Sequence, residues 1–214
     1  VSKEIADDLK LNKPMLRLIQ GDVGAGKTLV AGVAACHALE EGWQVALMAP
    51  TEILAEQHYL NFKKWFEPLD LSVSWLSGKQ KGKARAAAEQ IIKDGSAHLI
   101  VGTHALFQEN VEFAKLGLVI IDEQHRFGVD QRLALRNKGL DGMTPHQLVM
   151  TATPIPRTLA MSAYGDLDTS VIDELPPGRT PIQTVTIPLD RREEVLNRIA
   201  TNCAEDKQAY WVCT

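Results

Sequence analysis

The stretch GDVGAGKT, Gly21 to Thr28, decides the fold. An apolar run of strand length, Leu16–Gln20, leads into it, and an alanine-rich helical segment, Thr28–Glu41, leaves it and stops at Gly42. The eight residues fit G-x-x-x-x-G-K-[ST] with a strand before and a helix after, the context that a phosphate-binding turn requires. Glycines at 21, 24 and 26 let the backbone N–H groups of the loop, through Asp22, Val23 and Ala25, turn inward around phosphate oxygens. Lys27 supplies a point charge for the outer phosphates and the Thr28 hydroxyl can ligate Mg²⁺. An accidental glycine-rich turn would need neither the strand nor the helix.

Working outward, the same alternation repeats. Val45–Ala49 precedes a helix over Glu52–Glu67, Val73–Leu76 precedes Ala84–Asp94, and His98–Val101, Leu118–Ile121 and Gln147–Met150 read as further strands. Near-continuous apolar strands alternating with helices predict an α/β fold, a parallel sheet covered on both faces. Three prolines and a glycine in LPPGRTP, Leu175–Pro181, predict a linker, since neither a helix nor a central strand tolerates them. A strand at Gln183–Ile187, a charged helix at Asp190–Asp206 and a strand at Gln208–Cys213 then restart the β-α-β order. The expected organisation is residues 1–174 as one domain, 175–182 as linker and 183–214 as the start of a second. An opening valine and an ending on the apolar run AYWVCT suggest a piece of a longer protein.

Composition bounds the function class. With 214 residues, 45% hydrophobic, the chain can bury a real core, and no apolar run approaches the roughly 20 residues that span a bilayer. The three cysteines, Cys36, Cys203 and Cys213, are odd in number and lack metal-ligand spacing, which fits a reducing cytoplasm. A net charge of −4 requires any nucleic-acid contact to come from a local patch.

LVIIDEQH, Leu118 to His125, ends an apolar strand on two acids. Alone, the pair would read as a solvated strand end. Beside a phosphate loop, Asp122 is placed to hold the nucleotide's Mg²⁺ through a bound water, and Glu123 to accept a proton from the water attacking the γ-phosphate.

With GDVGAGKT and Asp122-Glu123-Gln124-His125 both in place, the chain resembles the superfamily-two DExH-box nucleic-acid motors. That resemblance implies a RecA-like P-loop domain using ATP and Mg²⁺. APTEILAEQ (Ala49–Gln57), GTHALF (Gly102–Phe107) and TATPIPRT (Thr151–Thr158) match further motifs of that family in order. They imply contacts to the DNA backbone from Pro50, Thr51, Glu52, Gly102, Thr103 and His104. They also imply coupling between ATP and DNA sites through Gln124, His125, Thr151, Ala152, Thr153 and Arg157. DEQHRFGVDQR, TATPIPRTLAM and DELPPGRTP together resemble the bacterial branch-migration helicases of the RecG family, which remodel forked and branched duplex DNA in recombination and repair. The transcription-repair coupling translocases are the nearest alternative, with a nucleotide-gated binding module that does not step as another. Against the RecG pattern, a wedge domain, an adenine-contacting segment and a second motor domain with its arginine finger have no counterpart in these residues.

Several of these residues keep a plainer reading. Thr51 can be a helix N-cap and still receive an anion. His125 can be an ordinary satisfied polar residue, and Arg157 can cap a strand end. The other histidines, at 37, 58, 98, 104 and 146, show no metal-ligand pattern. KQKGKAR places Lys79, Lys81, Lys83 and Arg85 at the start of a helix, where the dipole disfavours cations by a few tenths of a kcal/mol each. That points either to a DNA backbone or neighbouring domain, or to a solvated loop.

Overall fold

The computed structural model describes residues 1–123, 138–153, 167–174, 180 and 182–212. The chain divides into two compact units, Val1–Pro177 and Gly178–Thr214.

The first unit is a seven-stranded, wholly parallel sheet. In chain order its strands are β1 (Leu16–Gly21), β2 (Gln44–Met48), β3 (Val73–Leu76), β4 (Leu99–Gly102), β5 (Leu116–Asp122), β6 (His146–Thr151) and β7 (Asp168–Ile172). They lie side by side as β3-β4-β2-β5-β6-β1-β7. Among the described residues four helices pack with them: α1 (Ser2–Leu9), α2 (Lys27–Glu40), α3 (Glu52–Phe66) and α4 (Gly82–Lys93). Because every strand runs the same way, all their C-terminal ends meet at one edge, where ligands bind in such sheets.

The apolar runs become central strands because both of their faces are buried. Val45, Leu47, Leu99, Val101, Leu118 and Ile120 point to one side, against Ala31, Ala34, Ala35 and Ala38 of α2 and Phe62 and Phe66 of α3. Ala46, Met48, Ile100, Val119 and Ile121 point to the other, against Ala88 and Ile92 of α4 and Leu106. The alanines of α2 bring that helix close to the sheet, and the Trp65 ring lies over Gly32, where a Cβ would make an ordinary contact at 3.5 Å. Phe62 and Phe66 stack with centroids 5.6 Å apart. Each ring contributes roughly 1.5–3 kcal/mol by leaving water.

Two elements go beyond the sequence expectations. Helix α1 buries Ile5 in the first core. Strand β7 is a polar edge strand that pairs with β1, Arg17 level with Asp168. Arg17 holds both: its guanidinium donates to Asp8 of α1 at 2.7 Å and to Ser170 of β7 at 2.8 Å.

The second unit corrects an expectation. Its helix, α5 (Arg192–Ala204), forms inside the predicted span, but residues 182–188 and 207–212 are not strands. A strand needs a neighbour for its N–H and C=O groups. Among the described residues no ladder involves these segments, and Val185, Tyr210 and Val212 stand largely exposed. Of the predicted linker, only Thr180 and Ile182 lie within the described residues.

Candidate nucleotide and nucleic-acid site

The turn after β1 has the shape that its glycines permit. Gly24 and Gly26 adopt φ of +84° and +92°, a region that a side chain disfavours, and Gly26 is the N-cap of α2. At Gly21 a Cβ would lie 3.1 Å from Cβ of Ile172, because the edge strand packs against the loop. The Lys27 ammonium donates to the carbonyls of Gly21 at 2.7 Å and Asp22 at 2.8 Å, so the cation sits within the loop's own curve. Asp22 accepts from the Val23 N–H at 2.7 Å. Thr28 lies half-buried in the first turn of α2, which carries no acid, so no side chain there offsets the positive end of the helix.

The acids stand at the same edge. Asp122 is level with Met150 on β6, and Met150 with Ile19 on β1. One strand separates the acids from the phosphate loop, roughly 10 Å at ordinary strand spacing. Asp122 accepts a hydrogen bond from Nε2 of His58 at 2.7 Å through Oδ2. Glu123 takes a left-handed backbone, φ +51°, unusual for anything but glycine. Its N–H donates to the Met150 carbonyl at 2.9 Å. Its carboxylate accepts from the Ala152 N–H at 3.2 Å and the Thr151 hydroxyl at 3.3 Å. Thr151 and Thr153 share a hydroxyl–hydroxyl bond of 2.9 Å, and Gln20, the residue before the loop, donates to the Thr153 carbonyl at 3.4 Å. Thr151, Ala152 and Thr153 thus touch both the second acid and the strand that feeds the phosphate loop. Gln124, His125 and Arg157 lie outside the described residues.

These residues fit Mg²⁺–nucleotide in the manner of a phosphate loop. Among the described residues no group of three or more His, Cys, Asp or Glu could hold a metal. An ion carried by the nucleotide needs no such cage, only one or two protein oxygens beside phosphate and water. Thr28 and the Oδ1 of Asp122 are of that kind.

The expected nucleic-acid contacts lie at the same edge, on loops after β2, β3 and β4. Thr51 caps α3, its hydroxyl accepting from the Leu54 N–H at 3.3 Å, and stays exposed beside half-buried Pro50. Glu52 braces the strand ends, accepting from the Ser77 hydroxyl at 2.7 Å and the Thr103 hydroxyl at 3.4 Å. Thr103 is 2% exposed; its hydroxyl turns inward to this carboxylate, and His104 beside it faces solvent. Gly102 is required by packing, because a Cβ would meet the Leu76 carbonyl at 2.2 Å. Helix α4 begins at Gly82 with no acid in its first turn and no side-chain cap on its N-cap residue Lys81. Lys79, Lys81 and Lys83 are exposed. Arg85 instead turns onto Glu89 at 2.7 Å and Gln108 at 2.6 Å, which narrows the basic patch to the three lysines.

Sequence reasoning passed over His58 and Gln20. His58 recurs with Ala55, Phe62 and Phe66 on the buried face of α3; a histidine at that spacing was the available signal.

Residues 3–162 match the family model for DEAD/DEAH box helicases. With an ATP-type phosphate loop and a paired-acid strand end on one sheet edge, the chain belongs to the DEAD/DEAH box helicase family. Within that class it is similar to the ATP-dependent DNA helicase RecG: 65% identical to the protein of Escherichia coli strain K12 and 63% to that of Haemophilus influenzae, each over 100% of this chain and 31% of the relative. Among solved structures, RecG bound to a three-way DNA junction aligns with TM-score 0.78 and 42% identity, over 95% of this chain and 27% of that one. The Hef helicase domain of Pyrococcus furiosus, 22% identical with TM-score 0.61 over 96% of this chain and 47% of that one, shares the RecA-like fold. The chain spans about a third of the length of the RecG relatives it matches.

Proposed function

We propose that this chain is the first motor domain of an ATP-dependent DNA helicase that translocates on duplex DNA and remodels branched structures such as stalled forks and Holliday junctions. The observation that carries it is the meeting of the Lys27 loop and the Asp122-Glu123 pair at one sheet edge, in a chain 65% identical to RecG along its whole length. Residues 1–174 form the motor domain, 175–182 the linker and 183–214 the opening of a second motor domain. A bacterial cytoplasm suits such a protein, and no helix among the described residues is long and apolar enough to cross a membrane.

Bound Mg²⁺–ATP supplies the phosphoryl group, and the chain's residues position and polarise. Gly21, Gly24 and Gly26 free the loop amides for the phosphates, Lys27 leaves its carbonyl partners for the outer phosphate oxygens, and Thr28 and Asp122 hold the ion. Glu123, steered by Thr151 and Ala152, orients the attacking water and takes its proton. Exposed Lys79, Lys81 and Lys83, with the amides behind Thr51, meet the DNA backbone, while Glu52 and Thr103 brace that surface. A motor that steps along any sequence must grip phosphates without reading bases.

A fork-regression assay on the intact protein with ATP and no other factor tests this reading. Regression of a model fork supports it. Activity only in the presence of a transcribing RNA polymerase favours the transcription-repair reading, and nucleotide-dependent DNA binding without strand movement favours the gated module. If the arginine finger, worth roughly 10³–10⁵ in rate, comes from a second motor domain as the family resemblance implies, the 214 residues alone should bind nucleotide weakly and turn over close to background.

A further inference from the structure

We propose that His58 is a positioning residue for Asp122: its imidazole holds one carboxylate oxygen so that the other faces the nucleotide-borne magnesium ion. The inference rests on the nucleotide-site reading above and adds to it a residue on a different helix, 64 positions away in the chain.

His58 sits on the buried face of α3 with Ala55, Phe62 and Phe66, 7% exposed, its ring 6.4 Å from that of Phe62. Its Nε2 lies 2.7 Å from Oδ2 of Asp122. A carboxylate can only accept, so Nε2 carries the hydrogen. Nδ1 is buried and finds no partner among the described residues. A buried polar atom left without a hydrogen bond costs on the order of 1–3 kcal/mol. Leucine or methionine would fill this helix face without that cost, so stability alone does not explain a histidine here. The carboxylate does. Pairing with β2 and β6 fixes the backbone of β5, which leaves side-chain rotation as the remaining freedom of Asp122. One hydrogen bond to Oδ2 removes it. Partners that orient a metal-ligating side chain typically contribute about 10–100-fold to metal affinity.

The test is magnesium-dependent binding of a fluorescent, non-hydrolysable ATP analogue to the intact protein, with Asp122→Asn as reference. Glutamine and asparagine carry the same amide, but only glutamine is long enough to place an N–H where Nε2 stands. His58→Asn should raise the magnesium concentration at half-saturation about 10–100-fold while leaving analogue affinity in EDTA unchanged. His58→Gln should return the midpoint to within a few-fold of wild type. A His58→Asn protein with the wild-type midpoint, a parallel loss of affinity with magnesium and in EDTA, or equal defects in both variants would overturn the proposal and leave His58 a packing residue. If Asp122→Asn shifts the midpoint while His58→Asn does not, this inference alone fails. If wild-type affinity ignores magnesium, the nucleotide-site reading fails and takes this inference with it.

Discussion

The two ends of the parallel sheet are built on opposite terms. At the N-terminal edge the polar groups satisfy one another. Gln44, 4% exposed, donates to the carbonyls of Ile92 and Ala97 and accepts from the Lys115 N–H, tying three connections together. Lys115 lies over the Trp43 ring, 4.3 Å from its centroid, and Nδ1 of His146 accepts from the Met15 N–H. Among the described residues the left-handed positions there are Gly42 before β2, Gly95 between α4 and β4, Gly142 before β6, and Asp70 before β3, an aspartate, which tolerates that region better than most side chains. A cavity of about 690 Å³ opens at this edge between the ends of α1 and α2, lined in part by Trp43, Met143 and His146, with none of the phosphate-loop residues around it. At the C-terminal edge a glutamate holds the left-handed position after β5, a lysine leans on its own loop, and a histidine has one nitrogen without a partner among the described residues. One end is optimised for folding. The other keeps strained and half-satisfied groups, which a fold tolerates where chemistry needs them.

If that contrast is right, variants at the two edges should separate activity from stability. The largest effect should come from Glu123→Gln in the intact protein: nucleotide binding kept and hydrolysis lowered by roughly 10²–10⁴, the usual contribution of a positioned proton acceptor. Steady-state turnover beside equilibrium binding measures both, and unchanged hydrolysis would remove Glu123 from its role. At the other edge, Gln44→Leu removes three hydrogen bonds and takes the side-chain partner from the Ala97 carbonyl and the Lys115 N–H. The Ile92 carbonyl keeps the Gly95 N–H at 3.3 Å, so the Ala97 carbonyl and the Lys115 N–H carry the cost. Denaturant unfolding should show a loss of about 2–4 kcal/mol, with nucleotide affinity of the folded fraction unaltered. A change in affinity without a change in stability would erase the distinction.

A smaller effect sharpens the account of the site edge. Lys81→Glu with Lys83→Glu should lower the salt dependence of DNA-stimulated turnover by about one unit of log–log slope per lysine. An unaltered slope would make the lysines a solvated loop. Smallest is a pH effect confined to the opposite edge. Burial lowers the His146 pKa below its usual 6.5, so in the native state the ring stays neutral where the unfolded chain would protonate it. Below pH 6.5 the unfolded state therefore binds more protons, and stability falls as pH drops towards the native pKa. Thermal unfolding between pH 7 and 5 should show this slope in wild type and a shallower one in His146→Gln.

What could be read in advance follows from the same contrast. The phosphate loop and acidic strand end were legible because their chemistry dictates residue type and spacing, and the central strands because burial on both faces leaves an apolar run. Their bounds fell within a residue or two of the elements formed. Strand β7 was not legible: DTSVI is an edge strand with one buried residue, Ser170, and Arg17, reaching from the neighbouring strand, helps to hold it. Helix α1 rests on a single buried side chain, Ile5. The strands expected at 183–187 and 208–213 had the right pattern, but pattern cannot supply a neighbouring strand. For His58 the spacing could place a histidine on the buried face of α3 but not name its partner, which is set by how α3 packs on β5. Cys36 on α2 is half-buried, and burial pushes its thiol pKa up.

The central claim is that the Lys27 loop and the Asp122-Glu123 pair serve one magnesium–triphosphate group. A crystal structure of the intact protein with Mg²⁺, ADP and beryllium fluoride tests it most directly. The account predicts a single ion held by the Thr28 hydroxyl on one side and by Asp122, directly or through one water, on the other, with Lys27 moved off the Gly21 and Asp22 carbonyls onto the beryllium fluoride. An ion bound without Asp122, or nucleotide seated away from the loop at Gly21–Thr28, would contradict it.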